Sequence, residues 1–236
     1  MKEAIVFDIW GDYGYFRRGY TTTSTLSYPF PSRTTLAGII SGILGYEKDS
    51  YHELFKSSKS AFALEIKNPL KKIRMNLNVI DTKTGFLLSD NRGTRSQIPA
   101  EFLKDVNYRI YLWLENSEII DDLYGLLSNH KSIYTPYLGI SECIANIKLV
   151  NEGIFDLKKQ KVTDGEAKIR SIVPKDSAKI KIEPGKKYGL VKSPAFMNSE
   201  RVVEGFKEFY YEEEGKKIAI VDGEYYSIGD SNVIFF

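Results

Sequence analysis

The chain has 236 residues, with 33 Lys and Arg against 31 Asp and Glu, a formal net charge of +2, and a single cysteine. One cysteine excludes an internal disulfide and a cysteine-based metal site, and with only His52 and His130 as imidazoles neither a zinc site nor any other cofactor is expected. The length suits one large domain, or one medium domain with an appendage. Lys2 and Glu3 lead straight into Ala-Ile-Val-Phe without a secretory leader pattern, so a soluble cytoplasmic protein is expected.

Residues 3–11 alternate Ile5, Phe7 and Ile9 against Val6, Asp8 and Trp10, which predicts a first strand. A loop rich in Tyr, Arg and Thr follows over 12–31. Pro29 and Pro31 hold the chain extended, so a helix cannot begin before Pro31, and Ser32 is its natural N-cap. Over 32–45, Leu36, Ile39, Ile40, Ile43 and Leu44 recur at helical spacing, beside a second stripe of Ala37, Gly38, Ser41 and Gly42. Each glycine weakens a helix by roughly 1 kcal/mol against alanine. The expected compensation is close packing on a sheet. The apolar part is too short to span a membrane, which takes roughly 20 residues.

A helical turn at 51–56 precedes a strand at 61–66, and Ile73, Met75, Leu77 and Val79 continue extended structure past Pro69. Turn signals across 81–100 predict a long excursion. Residues 107–115 alternate strongly and form another strand. A second helix follows, with Ser117 as the expected N-cap and Ile119, Ile120, Leu123, Leu126 and Leu127 as its buried stripe. After a loop around Tyr134-Thr-Pro-Tyr-Leu-Gly139 comes a strand at 142–150. The order is the split βαβ, ferredoxin-like plan shared by the RNA-recognition fold. Beyond Asn151 the helical signal nearly vanishes, and short strands are expected at 167–173, 178–182, 187–192, 206–212, 216–221 and 224–228. The expected fold class is α+β, with a ferredoxin-like domain over 1–152 and a small β-rich subdomain over 153–236.

The near-balanced charge is unevenly spread. Residues 56–104 and 156–193 are basic, while 105–155 and 194–236 are acidic. This suits a protein that touches a polyanion locally and other protein surfaces elsewhere, although the lysine-rich 156–193 block reads equally as a solvated face.

Four motifs in order carry a family resemblance: Phe16-Arg-Arg18 after the opening strand, Ser27-Tyr-Pro-Phe-Pro-Ser-Arg33 running into Leu36-Ala-Gly38, Arg95-Ser-Gln-Ile-Pro-Ala-Glu-Phe-Leu103, and Tyr134-Thr-Pro-Tyr-Leu-Gly-Ile-Ser-Glu-Cys143. Together they resemble the fifth CRISPR-associated protein family, over most of residues 1–150. The resemblance implies a member of the repeat-associated RNA-binding superfamily, acting as a non-catalytic subunit of a type I surveillance complex, or Cascade, of the I-B or I-A kind. Such a subunit caps the 5′ handle of CRISPR RNA, contacts the large subunit and the family-seven backbone subunit, and meets target DNA only through the complex. A β-hairpin thumb is implied, matched here by residues 71–103.

The residues themselves fit RNA binding. Lys71, Lys72, Arg74, Arg92 and Arg95 lie in that excursion, where phosphates can be bound. Gly93 between Arg92 and Arg95 permits close approach to a nucleotide, or serves a plain hairpin turn. Arg17 and Arg18 beside Tyr15, Phe16 and Tyr20 join cations to stacking surfaces, or else form a surface loop whose aromatics pack on the sheet. Arg33 at a helix start can hold a phosphate, and Tyr28 can stack on a base. Trp10, Tyr111 and Trp113 mimic a base-stacking platform, but burial under the appendage is preferred. One branch of the family cuts precursor RNA with Tyr, Lys and His and no metal. His130, Lys131 and Tyr134 offer those types, yet they follow the second helix and not the thumb-side hairpin. Catalysis is therefore not expected, and a protein-only scaffold is a third reading.

Overall fold

The computed structural model describes residues 2–21, 25–80 and 95–236. In chain order the elements are β1 (Glu3–Gly14), α1 (Arg33–Leu44), β2 (Ser60–Ile66), β3 (Lys71–Ile80), β4 (Arg95–Leu114), α2 (Ser117–Ser128), β5 (Asn146–Asp156), β6 (Lys158–Lys161), β7 (Ala167–Ile169), β8 (Val173–Pro174), β9 (Ala178–Lys181), β10 (Tyr188–Met197), β11 (Val203–Glu212), β12 (Ile218–Ile228) and β13 (Ser231–Val233). Helices are few and every ladder between these strands is antiparallel.

The first sheet runs β2-β4-β1-β5, with β3 added to the far half of β4. β4 is 20 residues long and serves three partners, with β1 along one edge over residues 103–112 and two others in turn along its other edge. Residues 108–114 pair with β2, and residues 95–104 pair with β3. The part of the expected excursion from Arg95 onward and the expected strand at 107–115 are thus one continuous strand, while residues 81–94 of that excursion lie outside the described residues. Alternation sorts β1 between two cores. Ile5, Phe7 and Ile9 join Leu36, Ile39, Ile40 and Ile43 of α1 and Leu123 and Leu127 of α2 on one face. Val6 and Tyr111 point the other way, onto Ile228 and Val233.

Ser32 caps α1 as expected, accepting from the Thr35 N–H, and Gly45 closes the helix in the left-handed region at φ 81. The cap of α2 is Asn116, one residue earlier than expected, because its side chain reaches the Glu118 N–H. The loop after α2 holds close to the opening strand. Gly139 has φ +98, and a Cβ there would stand 1.9 Å from the Tyr15 carbonyl oxygen, so only glycine lets these two loops meet.

β12 is the hub of the remaining strands. It pairs with β7 and β9 near its start and with β6 and β13 near its end, merging two strands expected separately. β8, β10 and β11 form a third sheet, and α1 lies against β10. The 152/153 boundary expected from the sequence falls within β5, whose pairing with β1 continues to Asp156. Phe62 and Phe236 exchange backbone hydrogen bonds of 3.1 and 2.8 Å, tying the last residue to β2. Among the described residues no helix is long and apolar enough to cross a membrane.

Candidate nucleic-acid interface

The β3–β4 hairpin is amphipathic across its two faces. Ile73, Met75 and Leu77 are half-buried and pack on the main core, whereas Arg74, Asn76 and Asn78 are exposed. Lys71 is held 3.1 Å from Asp105 in an exposed ion pair, and Lys72 3.2 Å from Glu101, whose side chain is only 14 % exposed. An exposed pair is weak, so the Lys71 ammonium can exchange its partner for phosphate. Arg74 sits opposite Glu101 in register. Arg92 lies outside the described residues, and Arg95 is described only as the backbone residue of β4 opposite Ile80.

The loop between β1 and α1 lies along this hairpin. Thr25 bridges to Ala100, donating its N–H to the Pro99 carbonyl at 3.0 Å and accepting from the Glu101 N–H at 2.8 Å. Tyr15 stacks on Phe102 with ring centroids 4.8 Å apart and donates to Thr25 Oγ1 at 2.6 Å. Arg17 is exposed, with one terminal N–H on the Thr21 carbonyl. Arg18 donates to the Ser27 carbonyl and the Tyr20 hydroxyl, each at 3.1 Å, and lies 5.4 Å from the Tyr28 ring centroid. Arg18 and Glu101 both bear electrostatically on the Tyr211 hydroxyl, whose pKa burial raises. The structure thus brings Arg17, Arg18, Lys71, Lys72 and Arg74 onto adjoining segments.

Two expected site residues are elsewhere. Arg33 does not present its guanidinium to a phosphate. It is 5 % exposed and donates to the carbonyls of Phe236, Phe55 and Ser60 and to the Ser60 hydroxyl, at 2.7 to 3.0 Å. It also lies over the Phe62 ring, and burial lowers its pKa to about 10. Tyr28 is 6 % exposed under Arg18, which leaves no ring face for a base. The segment between them is held on the core by the Tyr108 hydroxyl, which donates to the Pro29 carbonyl at 2.9 Å, and by Phe30 packed edge-on against Phe209 and Tyr211.

The open half of the first sheet carries a group that composition did not signal. Asp8 accepts from Arg109 at 2.7 and 3.0 Å and from Lys67 at 3.2 Å. The hydrogen bond to Asp8 is the main cause raising the Arg109 pKa. Of the three aromatics expected to be buried, Tyr111 is, with its hydroxyl on Glu65 at 2.9 Å, whereas Trp10 and Trp113 are only half-buried. His130 and Lys131 line a cavity of about 390 Å³ with Trp10 and Lys148, while Tyr134 lines a different groove of about 650 Å³ over α1. The tyrosine is therefore not gathered with the other two. Among the described residues no group of three or more His, Cys, Asp or Glu could hold a metal ion.

A family model described as CRISPR-associated protein (Cas_Cas5) matches residues 4–208. The chain belongs to that family. The match runs well past Cys143, where the last of the four motifs ends, so the family's likeness reaches into β11. Among solved structures, a chain of a CRISPR RNA-guided surveillance complex is similar at 14 % identity and TM-score 0.52, over 92 % of this chain and 91 % of that one. A chain of a Type III-B Cmr-beta complex bound to cognate target RNA and AMPPnP is similar at 14 % identity and TM-score 0.53, over 92 % and 86 %. At such identities the likeness is one of fold. No curated protein matches this sequence.

Proposed function

We propose that this Cas_Cas5 family chain is the subunit of a type I CRISPR surveillance complex that binds and caps the 5′ handle of CRISPR RNA. In this reading the β2-β4-β1-β5 sheet with its two helices is the ferredoxin-like RNA-binding domain, and the β3–β4 hairpin is the thumb that inserts beside the handle. The large subunit and the family-seven backbone subunit are its protein neighbours, and it acts in the prokaryotic cytoplasm without cutting RNA. The observation that carries the reading is the family match over residues 4–208, joined to exposed cations on the hairpin and on the loop that lies along it. The two similar chains come from RNA-guided or RNA-bound complexes, which supports the same assignment.

Two experiments test it. The pure chain is incubated with end-labelled repeat RNA in chelator and resolved on a denaturing gel beside His130→Ala. Intact RNA is expected, and a discrete cut lost in the variant would make this a processing ribonuclease. In the assembled complex, Lys72→Ala with Arg74→Ala, and separately Arg92→Ala with Arg95→Ala, are expected to weaken RNA retention without lowering the melting temperature. Each lost phosphate contact should flatten the log–log salt slope by about 0.7 for a single strand. Unchanged retention and slope in both variants would remove the hairpin from the interface.

A further inference from the structure

The face of the first sheet turned away from α1 and α2 is only half covered. Val6, Ala63 and Tyr111 lie under Ile228 and Val233, but the next two rows along β1 are half-buried or exposed. In one row, Arg109 of β4, Asp8 of β1 and Lys148 of β5 stand side by side across the strands, and in the other stand Asn107, Trp10 and Asn146. The cavity above them, about 580 Å³, is lined by residues of β1, β4 and β5 alone. Trp10 and Lys148 also line the cavity of about 390 Å³ that holds His130 and Lys131, so they stand between two depressions.

One wall of the larger cavity is a break in pairing. Phe7 pairs with Leu149 and Ile5 with Ile154, so residues 150–153 of β5 bulge out opposite Val6, with Asn151 at φ 50 and Gly153 at φ 81. Bulges end a ladder and re-aim side chains, and they gather beside functional sites. The floor is charged and out of balance. Asp8 engages Arg109 through Nε and Nη2, and among the described residues the Nη1 group has no acceptor. Lys67 is a further partner of Asp8, and Lys148 is exposed and, among the described residues, within 4 Å of no carboxylate. Three cations thus surround one carboxylate. A strand spacing of about 4.8 Å sets the backbones of Arg109 and Lys148 about 10 Å apart, with Asp8 between them.

We propose that this open half of the sheet docks a protein partner, through a segment that offers an aspartate or glutamate to Lys148 and Arg109 and an apolar side chain to Trp10. Charge complementarity sets the sign of the occupant. A nucleic acid is disfavoured, because its continuous run of phosphates would be drawn across the fixed carboxylate of Asp8, whereas a single carboxylate fits to one side of it. Trp and Arg are also the side chains that dominate protein–protein contacts, and asparagines beside them supply adaptable hydrogen bonds. The inference rests on the complex-subunit reading above, and it adds a protein contact made by residues outside the β3–β4 hairpin.

The test uses the chain in its assembled complex. Asn146 is exposed and stands in register beside Trp10, so p-benzoylphenylalanine in place of Asn146 samples this surface without touching the core. Irradiation is expected to join it to a protein subunit, at a peptide that contains Asp or Glu. Lys148→Glu on the same background is expected to cut the cross-link yield about tenfold, with RNA content and melting temperature unchanged. A cross-link to RNA, or none in a complex that holds its RNA, would overturn the docking surface and leave the capping reading standing. An undiminished cross-link in the Lys148→Glu chain would overturn the acidic partner. A protein cross-link in a complex that holds no RNA would support the surface and count against the capping reading. A chain that enters no complex counts against both.

Discussion

Arg33 and Cys143 are decided by burial more than by residue type. The Arg33 guanidinium satisfies three carbonyls and a hydroxyl drawn from three separate segments. Arg33→Ala would leave those acceptors buried and unpaired, with an expected cost of about 3–5 kcal/mol in urea denaturation. Lysine should not rescue it, because a single ammonium cannot span the same acceptors as a planar fork. The Cys143 thiol is buried, and burial, followed by the Glu142 charge, pushes its pKa up to about 11. A thiol raised in the fold favours the folded state below its ordinary value, and that contribution is lost as pH rises through about 11. Native protein at pH 8 should therefore resist a thiol-reactive disulfide reagent that labels it fast in urea. A sequence shows an arginine beside a helix start, and a helix start attracts phosphate. Which way that arginine turns depends on carbonyls as distant as Phe236.

At the scale of elements, period was a sound guide and function of a face was not. The alternation of Ile73, Met75 and Leu77 correctly marked one apolar side of β3, because a strand exposes every second residue to one environment. The small stripe of α1 was equally visible, but its expected partner was a sheet. The sheet lies against Leu36, Ile39, Ile40 and Ile43, and Gly38 and Gly42 look into the groove. Gly42→Ala is accordingly expected to stabilise the fold by about 1 kcal/mol, read as a rise in the urea midpoint at constant slope. A glycine that packed against the sheet would give the opposite sign.

The whole molecule is held by one sheet used on both faces. Its second face is covered by Ile228 and Val233, and β2 is bound to Phe236, so the chain after β5 completes the core that the earlier part begins. A fragment ending at residue 156 would expose Val6, Ala63 and Tyr111 and strand Arg33 without its Phe236 acceptor. Such a fragment is expected to lack the single sharp calorimetric transition of the full chain. Two separate transitions in the full chain would instead support independent units. By itself the sequence determined β1, β2, β3, α1 and α2, the cap at Ser32, the basic character of residues 56–104 and the family motifs, because these rest on local periodicity and residue type, whereas the strand character of residues 95–106 and 158–161 was not legible in it. Only the tertiary structure decided that Arg33 and Tyr28 face inward and that Asp8 joins Arg109 and Lys67. Those outcomes depend on contacts between residues far apart in the chain, and no local pattern encodes which distant partner a side chain will find.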